Sequence, residues 1–190
     1  MQGWNGWYHV NGNTYGTWLP GDPRGWRERW HRRHVEGDYK DPPPPGLHED
    51  RHERSKALLT GEAVRLNRRQ RRVALEGIVE KLLDRDTELL AASVDAIHYH
   101  ILARFADDHV RGPVGLAKKN ASFLLREHGL PGTVWARKCR ALPVADRAHQ
   151  LNVYRYILAH ANKGACVWTF RDGIIGGDKT HGRDKSHGDS

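Results

Sequence analysis

The stretch Ile97–Phe105, IHYHILARF, governs how the rest of the chain is read. Successive side chains on a strand point to opposite faces. An extended reading therefore sets His98, His100, Leu102 and Arg104 on one face and Ile97, Tyr99, Ile101 and Phe105 on the other. The second set suits the helix-packed side of a sheet and leaves the two imidazoles side by side on the open side. Such a pair can ligate a divalent metal, and a metal beside a flat sheet can polarise a substrate phosphate. The spacing alone is weak, because with 13 His in 190 residues a His-x-His triplet arises by chance roughly once. Its weight comes from the apolar residues at alternate positions of the strand.

Upstream, Leu89–Val94 is a short apolar strand close enough to pair with this one as a hairpin. Before it, Val73, Ile78, Val79, Leu82 and Leu83 recur at helical spacing between about Arg68 and Leu83. The first strand is expected over Tyr8–Leu19, YHVNGNTYGTWL, which alternates polar with aromatic or aliphatic residues. From Pro20 to about Leu66 the PGDPRG run and Pro42–Pro45 read as an irregular insertion. Downstream, a helix is expected over Val114–His128 and an extended segment over Val134–Val144. Asp146 then caps a helix running to about Lys163 and stopping at Gly164. A final short strand is placed at Val167–Phe170.

Strand, helix, strand, strand, helix, strand, helix is the order of a ferredoxin-like split βαβ sheet, an α/β (α+β) fold expected to carry its helices on one face. Residues 1–170 read as a single domain. The Gly-rich polar segment 171–190 reads as a disordered tail.

On the last long helix, Leu151, Tyr154, Ile157, Leu158 and Ala161 gather on one face at 100° per residue, which makes Tyr154 a core residue. Tyr156 lies off that stripe with His160 one turn further along beside it. A histidine so placed can complete a metal site and fix the distance of a tyrosine nucleophile from it. On the helix alone, a surface tyrosine beside a solvated histidine fits better. His149 shares that face and is a weaker candidate for a supporting or DNA contact.

The 31 Lys and Arg against 23 Asp and Glu give a formal charge of +8, which favours polyanionic partners. Two cysteines are too few for a disulfide framework or a four-thiolate zinc site, nothing at the N-terminus reads as a signal peptide, and no apolar run approaches a membrane span. With a mean hydropathy of -0.76, a cytoplasmic, nucleoid-associated protein is expected. Arg65–Arg72 (RLNRRQRR), Lys118 and Lys119 are the densest cationic patches. Trp4, Trp7, Trp18, Trp26 and Trp30 interleave with cations near the N-terminus, as suits stacking on single-stranded bases. A solvated helix face and a packed tryptophan cluster fit the same residues.

Taken together, YHVNGNTYGTWL, the HYH within IHYHILARF, VWARKCRALP and NVYRYILAH resemble the REP-associated tyrosine transposases and their short insertion-sequence relatives, the single-tyrosine HUH group. The resemblance spans about residues 7 to 170. It maps the histidine pair to His98 and His100, the nucleophile to Tyr156 and a third metal ligand to His160. It implies cleavage and rejoining of single-stranded DNA, often hairpin-containing, through a covalent 5′-phosphotyrosine intermediate, with Mg²⁺ or Mn²⁺ as cofactor. It leaves the enzyme a monomer or homodimer. Lys118, Lys119, Arg104 and His149 are the expected DNA contacts. In this family the middle position of the triplet is usually aliphatic and here is Tyr99, and the insertion from 20 to 66 is unusually long.

Two rivals fit parts of the text. His48-Glu49-Asp50-Arg51-His52 matches the HExxH pattern of zinc proteases, but it follows four prolines and lacks the apolar face such a helix must bury. An RRM-like sheet of the same topology could bind nucleic acid without chemistry, although such readers place aromatics on the open face rather than histidines.

Overall fold

The computed structural model of the chain describes residues 3–24, 26, 44 and 46–175. Trp30, most of the proline run and residues 176–190 lie outside the described residues. In chain order the elements are β1 (Trp7–Asn13), α1 (Glu49–Ala57), α2 (Arg68–Leu83), β2 (Glu88–Val94), β3 (His98–Arg104), α3 (Arg111–Glu127), β4 (Arg140–Pro143), α4 (Arg147–Ala159), β5 (Cys166–Thr169) and β6 (Gly173–Ile175). The sheet is wholly antiparallel, in the order β4-β1-β3-β2-β5-β6. Its first four positions are those of the ferredoxin-like plan, so the expected fold class holds. Among the described residues no helix is long and apolar enough to cross a membrane.

Alternation along the central strands divides the protein into two layers. Tyr8, Val10, Tyr99, Ile101 and Ala103 face α2 and α3, where Ile78, Leu82, Val114 and Leu125 close over them. An Asn67–Gln70 capping box starts α2. Helices on one face describes α2 and α3 only. α4 packs on the other face, with Val153 and Ile157 against Ala91, Leu102 and Val167. Sheet packing, not the arc of Leu and Tyr, chooses its stripe: Val153 and Gln150 are buried while Leu151 is 37% exposed.

Other boundaries differ as well. β1 stops at Asn13, not Leu19, because Thr14 leaves the ladder to bridge Trp135. Its hydroxyl lies within hydrogen-bond distance of the Val64 and Ile97 carbonyls. Only Arg140–Pro143 of the extended segment 134–144 forms a strand. The insertion is not wholly irregular, since it contains α1. Its return is pinned by Val64 N–H to Tyr15 O and Leu66 N–H to Ala96 O, both 2.8 Å. Gly173–Ile175, expected in the disordered tail, instead pairs with β5.

Tyr99, the unusual middle residue of the triplet, is fully buried edge-on to Trp135 at 5.3 Å. Its register partner is Gly12, where a Cβ would lie 2.7 Å from the phenol oxygen. Glycine there makes room for the large ring.

Candidate metal and nucleophile site

Local sequence chemistry sets each part of the site. Between β2 and β3 the Asp95 carboxylate accepts from the Ile97 and His98 amides at 2.7 and 2.8 Å, an Asx turn that starts β3. The same carboxylate lies 2.8 Å from His98 Nδ1. Burial opposes ionisation of Asp95, but the hydrogen bonds from His98 and the two amides outweigh it and hold the carboxyl below the usual range. An ionised acceptor favours a proton on His98 Nδ1, the nitrogen that faces Asp95.

His100 is 5% exposed, and its Nδ1 lies 3.0 Å from Nε2 of His9 on β1, with the two rings stacked. Burial, then electrostatic interaction with His98, His9 and His160, pushes His100 down to about 2. Burial, then His149, Arg140 and His160, pushes His9 down to about 4. Burial therefore favours the neutral form of both rings. The contact with His9 engages His100 Nδ1 and leaves Nε2 as its nitrogen without a partner.

His160 comes from the opposite layer. Asp146 caps α4 by accepting from the His149 amide at 2.7 Å, and the helix tightens into a 3₁₀ turn over His160–Lys163 before Gly164 ends it at φ 83. This places His160, 5% exposed, over β3, and burial again lowers its pKa. Ligand atoms of His98, His100 and His160 all lie within 4.8 Å of one another. The buried Nε2 atoms of His100 and His160 have no hydrogen-bond partner. Three converging imidazoles, two of them with buried nitrogens that lack a hydrogen-bond partner, are a donor set that fits a metal ion. Three histidines close together could hold one.

Tyr156 projects from α4 beside them. Its ring centroid is 4.8 Å from His160, 5.2 Å from His100 and 6.1 Å from His9, and 49% of its surface is exposed. Tyr154 is half-buried against the α4 layer. An open cleft of about 700 Å³ borders the cluster, with His98, His100 and Tyr156 in its wall. The structure thus brings His98, His100, His160 and Tyr156 together.

It does not gather the four expected DNA contacts. Lys118 is buried, its ammonium donating to Ala136 O at 2.7 Å, so it is a core tether and not a surface cation. Lys119 is exposed on α3, across the sheet from the histidines. Arg104 pairs with Glu88 at the far end of β3, about 20 Å from His98 at strand rise. His149 is half-buried and accepts from the Ala145 amide at 3.1 Å. The HExxH text begins α1, which has no buried residue, and His48 stacks edge-on against Trp26.

Sequence reading missed His9 and Asp95. Alternation offered a signal for His9, since Tyr8 and Val10 face the core and leave it on the histidine side. Asp95 reads only as a turn former until the hairpin brings its second oxygen to His98.

No known family of proteins and no curated protein matches the chain. Among solved structures, it resembles a REP-associated tyrosine transposase bound to a REP hairpin. That likeness has 15% sequence identity and a TM-score of 0.47, over 84% of this chain and 68% of the other.

Proposed function

We propose that the protein is a metal-dependent single-tyrosine HUH enzyme that cleaves and rejoins single-stranded DNA, with hairpin-containing DNA as its substrate. The observation that carries the reading is the convergence of His98, His100 and His160, the last two with unpartnered buried nitrogens, with Tyr156 beside those two. A divalent ion held by these three residues would supply Lewis-acid polarisation of a substrate phosphate oxygen. Mg²⁺ prefers oxygen ligands, so of Mg²⁺ and Mn²⁺ the all-nitrogen set fits Mn²⁺ better.

The protein's own residues do the rest. Asp95 and His9 hold the rings of His98 and His100 in the ligating tautomer. α4 fixes Tyr156 next to the cluster, so attack needs no large rearrangement. The Tyr156 oxygen forms a bond to phosphorus as the bond to the 3′-oxygen breaks. The phenol proton leaves to water at this half-exposed position, and the departing 3′-oxygen takes up a proton. The 5′-phosphotyrosine conserves the bond energy, and attack by a 3′-hydroxyl reverses the step and rejoins DNA.

A purely binding, RRM-like role is disfavoured by the site face itself, where α4 covers much of the sheet and histidines stand where stacked aromatics would be needed. The test is incubation of the protein with labelled single-stranded DNA and Mn²⁺, followed by a denaturing gel. A covalent adduct is expected from wild type and Tyr154→Phe and none from Tyr156→Phe. An adduct that survives in Tyr156→Phe and disappears in Tyr154→Phe would sink the assignment.

A further inference from the structure

The cleft beside the histidines has a second wall that the cleavage chemistry does not use. In the antiparallel register, Arg140 on β4 lies opposite Asn11 on β1, and Asn11 lies opposite His100 on β3. Directly opposed residues share a face, and neighbouring strands are about 4.8 Å apart. A guanidinium, an amide and an imidazole therefore run in a row across the sheet into the site. Asn13 sits opposite His98 in the same way. Lys138 and Arg140 are exposed, and among the described residues neither has a carboxylate at ion-pair distance.

Trp18 forms part of the same cleft and keeps 44% of its surface exposed. The chain braces it. Arg24 lies over the ring, 4.4 Å from its centroid, and is itself held by Asp22 at 2.6 and 2.8 Å and by Thr17 O at 2.6 Å. Asp22 is 3% exposed, so the brace is anchored in the protein. An exposed indole held rigid, two unpaired cations and two amides around one cleft match the chemistry of an unpaired nucleotide. The indole offers a stacking face, the amides offer hydrogen bonds to a base edge, and the cations meet phosphate.

We propose that this cleft binds one unpaired DNA nucleotide flanking the phosphate that Tyr156 attacks, its base stacked on Trp18 and its phosphates held by Arg140 and Lys138. The proposal rests on the single-stranded DNA reading above. It places the DNA path along the β1–β4 edge of the site face, away from Lys118, Lys119 and Arg104.

Binding is tested apart from chemistry, by fluorescence anisotropy in EDTA. The probes are a fluorescein-labelled thymidine 20-mer, an abasic 20-mer of the same backbone, and a 20-base-pair duplex. Trp18→Ala is expected to weaken the thymidine 20-mer about 5- to 100-fold and leave the abasic strand unchanged, with Trp18→Phe keeping most of the affinity. The double variant Lys138→Ala/Arg140→Ala is expected to weaken both single strands and flatten the salt slope by roughly 1.4. Equal weakening of thymidine and abasic strands in Trp18→Ala, an unchanged salt slope in the double variant, or tighter binding of duplex than of single strand would each overturn the cleft assignment. A Tyr156 adduct forming despite any of these leaves cleavage standing while the cleft falls. The expected pattern without an adduct leaves the cleft standing and removes the cleavage reading.

Discussion

The two faces of the sheet are built from the same strands and obey opposite rules. Under α2 and α3 the side chains of Val10, Tyr99, Ile101 and Ala103 are apolar or fully enclosed, and their neighbours fill the space between them. One register step away, His9, Asn11, His98 and His100 put polar atoms on the face that α4 covers, and two imidazole nitrogens there stay without partners. An unpartnered buried polar atom costs about 1–3 kcal/mol, and the Tyr8 and Tyr99 hydroxyls on the first face carry that cost too, so what sets the second face apart is that its unpartnered nitrogens converge. The difference teaches that one face is packed to fill space while the other gathers polar groups beside a cleft.

The comparison breaks most visibly at Ile101. Ile101→Ala removes fully buried volume from the helix face and is expected to lower unfolding free energy by about 2–5 kcal/mol in denaturant titrations. Metal binding by the folded fraction should persist, and loss of metal without loss of stability would contradict the division. The reverse is expected at His9. His9→Ala should weaken Mn²⁺ binding by about 10- to 100-fold in isothermal titration, with little change in melting temperature. His9→Gln, which keeps an acceptor near the ring nitrogen, should restore most of that affinity. Equal losses in the two variants would show that His9 fills space rather than orienting His100.

A third test joins the faces. Gly12→Ala would press a methyl group on the Tyr99 phenol and should cost roughly 1–3 kcal/mol, with Tyr99→Leu in the same chain recovering part of it. No recovery would place the strain elsewhere.

The smallest effect per step is that of pH on the metal-free protein. His9 and His100 are lowered from 6.5 to about 4 and about 2, so the unfolded chain takes up protons that the folded one refuses. Their contribution to stability is complete above pH 6.5 and is lost as pH falls toward 4, at up to about 1.4 kcal/mol per pH unit for each. Thermal melts in EDTA between pH 7.5 and 4.5 should show falling midpoints. Rising midpoints on acidification would mean that the rings are charged in the folded state. Acid should also expel the metal, which needs neutral imidazoles.

The elements with strong periodicity were legible from the chain alone. Arg68–Leu83 stands as read, and the hairpin of β2 and β3 differs only at its ends, because the regular alternation and spacing there reflect a one-sided core. α1 and β6 were not legible, since neither buries enough apolar surface to leave a pattern: α1 has no buried residue, and β6 is three residues of half-buried edge. On α4 the periodicity was read but turned by part of a turn, because the sheet accepts Val153 and Gln150 more closely than Leu151. Lys118 was not legible for a related reason. Charge density along a sequence does not say which face a lysine occupies, and Lys118 spends its charge on a backbone carbonyl inside the fold.

By itself the sequence determined the strand alternation that puts His98 and His100 on one face, and the helical spacing that sets Tyr156 beside His160 and apart from Tyr154. Both are consequences of local backbone geometry, a period of 2 and a period of 3.6. Only the tertiary structure decided that α4 packs on the histidine face, that His9 and Asp95 contact the rings of His100 and His98, and that Arg140, Lys138 and Trp18 line the cleft beside them. Those relations join residues far apart in the chain, and it is strand register and layer packing, not local pattern, that bring them within bonding distance.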